Sequence, residues 1–186
     1  MHNIYTSKQA IKELLKEHNV ALKKNLGQNF LVSEKVIQTL LNAADLQSTD
    51  IVLEVGPGIG TITAELTRRV QNVTAIEKDK SMVKILQQEF QDTPNLTIIH
   101  GDALVEPLTP SPFKVVANLP YYIATPFLRR VLETEHQPDL ITIILQKEVA
   151  QRICSKPPDM SVLAVATQLY ATPKIVTTIK RGAFWP

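Results

Sequence analysis

Short apolar segments alternate with amphipathic stretches from residue 51 onward, and this alternation constrains the fold more than any other feature of the sequence. Five apolar segments have the pattern of buried strands: Ile51–Val55, Val73–Ile76, Leu96–Ile99, Val115–Ala117 and Leu140–Leu145. Apolar residues at helical spacing lie between them. Because strands that alternate with helices form right-handed βαβ units, we predict an α/β fold with a mostly parallel sheet and helices on both faces.

Two further elements are predicted in the second half of the chain. Thr125 and Pro126 favour a helix start, because threonine caps helices and proline suits the first helical position. Lys174–Ile179 has the pattern of one more strand. The 186 residues suit one domain, in which residues 1–46 form an N-terminal helical and basic segment and residues 47–186 form the core.

The cysteine and histidine content excludes several classes of protein. Cys154 is the single cysteine, which rules out internal disulfides and multi-cysteine zinc sites and fits a reducing cytoplasm. We interpret it as a buried structural thiol and not as the nucleophile of a cytosine methyltransferase. The four histidines have no metal-ligand spacing, so no metal site is expected. No apolar run approaches the about 18 residues of a membrane span, and the polar N-terminus does not resemble a signal peptide.

The net charge of +2 conceals an uneven distribution. Residues 1–35 carry six basic and three acidic side chains, and residues 146–186 carry six and two, whereas the segment between them has an excess of acidic residues. Basic ends around an acidic middle suggest a surface for a polyanion if the two ends meet in the fold. Charge alone is equally compatible with solvated lysines scattered over the surface.

A glycine-rich turn follows the first predicted strand. The sequence there is EVGPGIG at 54–60, and glycines at such a turn let a ligand approach the backbone closely. Glu77 ends the second strand, 21 residues after Gly56, where an acidic side chain accepts hydrogen bonds from ribose hydroxyls. The turn and this glutamate together indicate a cofactor that contains a nucleoside.

The same region indicates which cofactor this is. Thr61 stands where the dinucleotide fingerprint has its third glycine, and no phosphate-binding loop is present, so a nicotinamide dehydrogenase is disfavoured. Glu54, directly before the turn, is unfavourable beside a pyrophosphate and favours a cofactor with an amino-acid cation. S-adenosylmethionine meets these conditions. Asp102 follows the third strand and is expected to accept a hydrogen bond from the adenine amine.

The segment NLPYY at 118–122 follows the fourth strand and carries the most specific chemical signal. The exocyclic amine of adenine is a poor nucleophile, and methylating it requires acceptors for its hydrogens. The side-chain oxygen of Asn118 and the carbonyl of Leu119 supply two. Pro120 rigidifies the turn, and Tyr121 offers a ring on which an extruded base can stack. This arrangement predicts adenine N6 methylation by orientation and electrostatics, without a covalent protein nucleophile.

These motifs together resemble the ribosomal RNA adenine N6,N6-dimethyltransferase family. The resemblance covers nearly the whole chain and rests on KKNLGQNFL at 23–31, EVGPGIGTIT at 54–63, Glu77, GDAL at 101–104, NLPYY at 118–122, QKEVAQRI at 146–153 and SVLAVATQLY at 161–170. It implies a Rossmann-like class I S-adenosylmethionine-dependent methyltransferase fold. NLPYY and the QKEVAQRI and SVLAVATQ segments are more similar to the small-subunit enzymes than to the large-subunit enzymes of macrolide resistance.

The resemblance implies dimethylation of two adjacent adenosines in the 3′-terminal hairpin of small-subunit rRNA during ribosome biogenesis, by a cytoplasmic monomer acting on rRNA or the assembling 30S particle. The expected cofactor-binding residues are Gln28, Asn29, Leu31, Glu54, Gly56, Gly58, Glu77, Asp102 and Asn118. The expected catalytic residues are Asn118, Leu119, Pro120 and Tyr121, and the expected RNA contacts are Lys23, Lys24, Lys147 and Arg152. Two alternatives remain: a large-subunit rRNA adenine N6-methyltransferase, and a non-catalytic RNA-binding or assembly module.

The resemblance also implies that family members continue beyond the segment Phe184-Trp185-Pro186, at which this sequence stops. In the family a final strand and a small helical domain follow. We therefore expect a catalytic domain without its last strand and without the C-terminal helical domain. Cofactor binding is expected to depend less on those parts than RNA binding does.

Overall fold

The computed structural model describes residues 4–22, 27–108 and 113–186. The strands are β1 (Phe30–Leu31), β2 (Ile51–Val55), β3 (Asn72–Glu77), β4 (Leu96–His100), β5 (Lys114–Asn118), β6 (Leu140–Ile144) and β7 (Phe184–Trp185). The helices are α1 (Lys8–Glu17), α2 (Glu34–Ala43), α3 (Thr63–Leu66), α4 (Lys80–Glu89), α5 (Tyr121–Leu132), α6 (Lys147–Ile153) and α7 (Val162–Gln168). In the described parts of the chain, no helix has the length and apolar character needed to cross a membrane.

Strands β2 to β6 form a five-stranded sheet in the order β4-β3-β2-β5-β6, and every neighbouring pair is parallel. The five strands and the parallel sheet predicted from the sequence are confirmed. The chain runs outward from β2 through β3 to β4 and then returns to place β5 on the other side of β2. Open α/β sheets bind ligands at such a reversal, beyond the carboxyl ends of the strands.

Alternate residues of the central strand face two different apolar layers. Val52 packs in a cluster with the buried residues of α2, whereas Leu53 and Val55 pack with α5. Each layer removes its apolar side chains from water, and this burial stabilises the fold at about 25 cal/mol per Å². Both faces of the sheet are therefore covered, and its strand ends are held rigidly enough to position polar groups.

The N-terminal segment packs against the edge of this core. Buried residues of α1 and α4 share one apolar cluster, and the Tyr5 hydroxyl donates a hydrogen bond to the Glu89 carboxylate over 3.0 Å. Strand β1 pairs antiparallel with β7, where the rings of Phe30 and Trp185 stack at a centroid distance of 6.2 Å. Phe30 and Leu31 thus meet the last residues of this sequence beside the glycine turn, where Phe30 contacts Gly58.

The predicted helix start at Thr125 is wrong, because α5 begins at Tyr121 and contains Pro126 within it. Pro120 occupies the N-cap position of this helix and makes no side-chain capping hydrogen bond. Pro126 lacks the N–H that would bond to the carbonyl of Tyr122, a loss that normally disfavours proline inside a helix. The helix tolerates it because an apolar face is buried along its length: Ile123, Ala124, Phe127, Leu128, Val131 and Leu132.

The predicted strand at Lys174–Ile179 is also wrong. Residues 171–180 form no helix or strand. A strand requires a neighbour for its backbone groups, and this segment and β6 line one cavity without pairing with each other. Among the described residues, β6 pairs only with β5. The strand-like pattern is therefore present without a pairing partner.

Candidate active site

The glycine turn follows β2 and occupies the carboxyl edge of the sheet. Gly56 and Gly58 have φ values of +69° and +59°, in the left-handed region that side chains with a Cβ adopt rarely. The Gly56 N–H donates to the Ile76 carbonyl over 3.0 Å, which keeps the start of the turn attached to β3. The turn therefore presents bare backbone to the cavity in front of β2 and β3.

Glu77 ends β3 and fixes the glycine turn. Its Oε2 accepts a hydrogen bond from the Gly58 N–H over 3.0 Å, and its Oε1 accepts from the Asp79 N–H over 2.8 Å. Burial raises the pKa of this carboxyl, and hydrogen bonds from the backbone N–H groups of Asp79, Gly58 and Lys78 oppose the rise. The carboxylate thus lines the cavity from a fixed position, where ribose hydroxyls can donate to it.

Asp102 lies at the end of the neighbouring strand β4, one residue beyond Gly101. Its Oδ1 accepts from the Leu104 N–H over 2.9 Å, and its Oδ2 accepts from the Lys78 ammonium over 2.7 Å. The hydrogen bond from Lys78 holds the pKa of the Asp102 carboxyl below its usual range. Glu77 and Asp102 therefore present two acceptors at adjacent strand ends of one cavity.

Asn118 ends β5 and joins the N-terminal segment to the sheet. Its Nδ2 donates to the Asn29 carbonyl over 3.1 Å, and the Asn29 side chain in turn donates to the Gly27 carbonyl over 3.0 Å. Because the amide nitrogen of Asn118 is used in this way, its Oδ1 is the atom that can accept from a ligand. The Gly56 position lies against Asn118 and Pro120, so three segments converge here.

The residues that follow Asn118 include both buried and exposed side chains. The Leu119 side chain is buried in the α5 layer, so only its backbone carbonyl is available to a substrate. Pro120 occupies the N-cap position of α5. Tyr121 and Tyr122 are 59% and 51% exposed, high values for tyrosine, and both line the cavity.

Three of the expected cofactor-binding residues occupy less direct positions. Gln28 lines the cavity, and its amide nitrogen donates to Asp79 at the N-terminus of α4 over 2.7 Å. The Leu31 side chain belongs to the apolar core, so only its backbone can meet a ligand. Glu54 is buried, and the part of the turn that lines the cavity runs from Val55 to Gly58.

The electrostatic state of Glu54 differs from the one assumed in the sequence argument. Burial raises the pKa of its carboxyl to about 8, although the Thr63 hydroxyl donates to Oε2 over 2.7 Å. Oε1 has no hydrogen-bond partner among the described residues. The carboxyl is therefore mainly protonated at neutral pH, and discrimination against a pyrophosphate does not rest on a negative charge at Glu54.

The raised pKa predicts how stability depends on pH. Between the unfolded value near 4.5 and the folded value of about 8, the folded state binds a proton that the unfolded chain has released. The contribution of Glu54 to stability is therefore lost as pH rises across this window. We expect Glu54→Gln to gain about 1.4 kcal/mol in free energy of unfolding relative to wild type per pH unit.

Urea unfolding at several values between pH 5 and 8 measures this difference. Glu148→Gln is the matched control, because Glu148 is an exposed glutamate on α6. Parallel stability curves for wild type and Glu54→Gln would show that Glu54 is ionised in the folded protein.

The residues expected to contact RNA are only partly described. Lys147 and Arg152 are exposed on α6, and Lys147 also lines the cavity. Lys23 and Lys24 lie outside the described residues. Cys154 is partly exposed and packs against the α5 layer, so it is less buried than expected. Within the ranges that the structure describes, no group of three or more His, Cys, Asp or Glu side chains is arranged to hold a metal ion.

The fold and the site together define a class of protein. The parallel order β4-β3-β2-β5-β6, the glycine turn after β2 and the carboxylates after β3 and β4 are those of a class I S-adenosylmethionine-dependent methyltransferase. Two solved structures share this fold. The 23S rRNA methyltransferase ErmE matches with a TM-score of 0.67 at 32% identity, over 73% of this chain and 55% of ErmE. A dimethyladenosine transferase from Plasmodium falciparum matches with a TM-score of 0.68 at 26% identity, over 74% and 51%.

Sequence comparison gives the family. The family model for ribosomal RNA adenine dimethylase matches residues 19–186, and the chain belongs to this family. A ribosomal RNA small subunit methyltransferase A from Dehalococcoides mccartyi is 42% identical over 180 residues, which cover 94% of this chain and 62% of the relative. One from Clostridium perfringens is 39% identical over 94% and 64%. The chain thus spans less than two thirds of the length of these relatives.

S-adenosylmethionine is the cofactor of this family, and the residues present fit it. The turn around Gly56 and Gly58 leaves space that a Cβ would narrow, and Glu77 and Asp102 provide acceptors of the kind that a ribose and an adenine amine require. The acceptor set suits a nucleoside without phosphates.

Sequence reasoning missed several side chains that organise the site. The Thr63 hydroxyl donates a hydrogen bond to Glu54, and Asp79 accepts one from Gln28. Lys78 forms an ion pair with Asp102. Arg130 on α5 donates to two backbone carbonyls of the loop after Asp102. Asp79 was detectable as a helix cap two residues before Ser81, whereas the other contacts join residues 9 to 27 positions apart, which no local pattern indicates.

Proposed function

We propose that this chain forms a single catalytic domain that transfers methyl groups from S-adenosylmethionine to the N6 atoms of two adjacent adenosines in the 3′-terminal hairpin of small-subunit rRNA. The observation that carries the proposal is the position of Asn118. Its amide is oriented by Asn29, and it lies in the same cavity as Glu77, Asp102 and the exposed Tyr121. Adenine methylation requires such an acceptor beside a nucleoside cofactor and a stacking ring.

The residues of the chain divide the chemistry between them. Glu77 and Asp102 hold the ribose and the adenine of the cofactor, which supplies an electrophilic methyl group. In the first transfer the Asn118 side-chain oxygen and the Leu119 carbonyl would accept the two hydrogens of the target amine, and in the second transfer one hydrogen remains to be accepted. Each time the S–CH3 bond of the cofactor breaks as the N–CH3 bond forms, and the excess proton on nitrogen is lost to solvent. These acceptors localise the nitrogen lone pair toward the methyl group and stabilise the positive charge that develops on nitrogen. No protein nucleophile is required.

The target base must leave its helix or loop to reach this site. Tyr121 offers a half-exposed aromatic face at the cavity edge for the extruded adenine, and stacking of this kind compensates for lost base stacking. Lys147 and Arg152 extend a basic surface along α6, where phosphates of the RNA can bind. Lys23 and Lys24 are proposed to extend this surface.

The partner most consistent with the relatives is small-subunit rRNA or an assembling 30S particle, bound by a monomer. The relatives from Dehalococcoides mccartyi and Clostridium perfringens are named ribosomal RNA small subunit methyltransferase A. Action on such a particle means a role in ribosome biogenesis in the cytoplasm. The similarity to ErmE supports a second candidate, methylation of 23S rRNA.

Methyl transfer from labelled S-adenosylmethionine to unmethylated rRNAs, both free and assembled into ribosomal particles, tests the proposal. We expect the label in small-subunit rRNA, released as N6,N6-dimethyladenosine after digestion to nucleosides. Label in large-subunit rRNA instead would support the second candidate. RNA binding without methyl transfer, under conditions where the cofactor is bound, would identify a non-catalytic binding module and contradict the proposal.

A further inference from the structure

Lys78 forms an ion pair inside the site that the expected cofactor contacts do not include. It directly follows Glu77, and its side chain reaches from the end of β3 to the end of β4. There its Nζ lies 2.7 Å from Asp102 Oδ2. The side chains of Lys78 and Asp102 are 53% and 29% exposed, so this pair is formed at the open side of the cavity.

The Asp102 carboxylate has little freedom to turn away from this ion pair. Its other oxygen accepts from the Leu104 N–H, and the loop that follows is anchored by Arg130. The Arg130 guanidinium donates to the carbonyls of Ala103 and Glu106, each over 2.7 Å. Both carboxylate oxygens therefore already have a donor, and the one that faces the open side is held by Lys78.

We propose that Lys78 occupies the adenine-amine acceptor of Asp102 in the free protein and is exchanged for the amine of S-adenosylmethionine when the cofactor binds. Lys78 is then an affinity-determining residue of the adenine subsite. This inference rests on the proposed function, because it assigns the adenine amine of that cofactor to Asp102.

The chemistry of the two donors makes the exchange feasible. The Lys78 ammonium is exposed, so on release it regains full hydration, and exposed ion pairs of this kind contribute little net free energy. A carboxylate oxygen can accept two hydrogen bonds, so the competition is for space: the ammonium, 2.7 Å from Oδ2, occupies the open side from which the neutral adenine amine has to approach. Tyr122 and Arg130 are the other ionisable groups that lie near this pair.

The exchange has a consequence for the dependence of affinity on salt. Salt screens an exposed ion pair, with a Debye length of about 10 Å at 0.1 M ionic strength. High salt therefore weakens the competition by Lys78 without weakening a hydrogen bond from a neutral amine. We expect Lys78→Met to bind the cofactor product S-adenosylhomocysteine about 2- to 5-fold more tightly than wild type at low salt. The difference should largely disappear at high salt.

Titration calorimetry of the 186-residue chain measures these affinities. Lys80→Met is the matched control. Lys80 is an exposed lysine two residues away, and its replacement removes the same charge. A second ligand, the S-adenosylhomocysteine analogue with unsubstituted purine in place of adenine, lacks the amine. For this ligand, Lys78→Met should bind as wild type does.

The outcomes separate this inference from the proposed function. Unchanged or weaker binding of S-adenosylhomocysteine by Lys78→Met would overturn the exchange while leaving the cofactor site in place. An equal gain in affinity in Lys80→Met, or an equal gain by Lys78→Met for the ligand without the amine, would show that the general electrostatic field causes the effect. Either result would also overturn the exchange. Absence of S-adenosylhomocysteine binding by the wild-type protein would overturn both.

Discussion

Replacing Asn118 by alanine is expected to slow methyl transfer to RNA by about 10²- to 10³-fold, the cost typical of removing one preorganised group that stabilises charge in a transition state. The substitution removes the side-chain oxygen that is proposed to accept a hydrogen bond from the target amine. Single-turnover transfer of a labelled methyl group, with cofactor and RNA both saturating, measures this step. RNA affinity should remain within a few-fold of wild type.

The structure assigns Asn118 a second contact that the experiment must separate. Its amide nitrogen donates to the Asn29 carbonyl and so holds the segment beside the cavity. If this were its whole contribution, alanine would weaken cofactor binding, and saturating cofactor would restore the rate. Asn72→Ala is the matched control, because Asn72 is an exposed asparagine at the start of β3, the strand end opposite to the site. A parallel loss of RNA binding and methyl transfer would point to a structural role.

Replacing Glu77 by alanine is expected to weaken S-adenosylmethionine binding by about 100-fold, since hydrogen bonds to a charged acceptor contribute about 1.5–3 kcal/mol. The carboxylate is the acceptor proposed for the ribose hydroxyls. It also accepts from the N–H groups of Gly58 and Asp79, so its removal releases the glycine turn as well. Calorimetric titration with the cofactor measures the change.

Two variants separate these contributions of Glu77. Glu77→Gln keeps one acceptor oxygen, and we expect an affinity between those of wild type and Glu77→Ala. Glu135→Ala removes an exposed glutamate and should leave cofactor affinity unchanged. Thermal unfolding without cofactor reports any loosening of the turn. Wild-type affinity in Glu77→Ala would remove Glu77 from the cofactor site.

The part of the site that could be predicted from the sequence lies where strands end. A buried parallel strand has a recognisable run of apolar residues, and the polar residue that follows it marks the carboxyl edge of the sheet. Glu77, Asp102 and Asn118 were placed in this way, and the structure brings all three to one cavity. The glycine turn was equally visible, because positive φ angles favour glycine locally.

Errors arose where the outcome depends on a partner elsewhere in the chain. The segment Lys174–Ile179 has a strand-like pattern, but a strand forms only when a neighbouring strand accepts and donates its hydrogen bonds. Helix α5 begins at Tyr121 and passes through Pro126 because its buried face contributes more than the local preference of proline. Both predictions are wrong because tertiary packing outweighs the local preference.

The sequence by itself determined the five strands of the parallel sheet, the glycine turn and the positions of the three polar groups at the strand ends, because each depends on residues close together in the chain. Only the tertiary structure decided that Glu54 is buried and mainly protonated, and that Lys78 pairs with Asp102. Burial and ion pairing depend on the distances between residues that folding brings together, and spacing along the chain does not specify those distances.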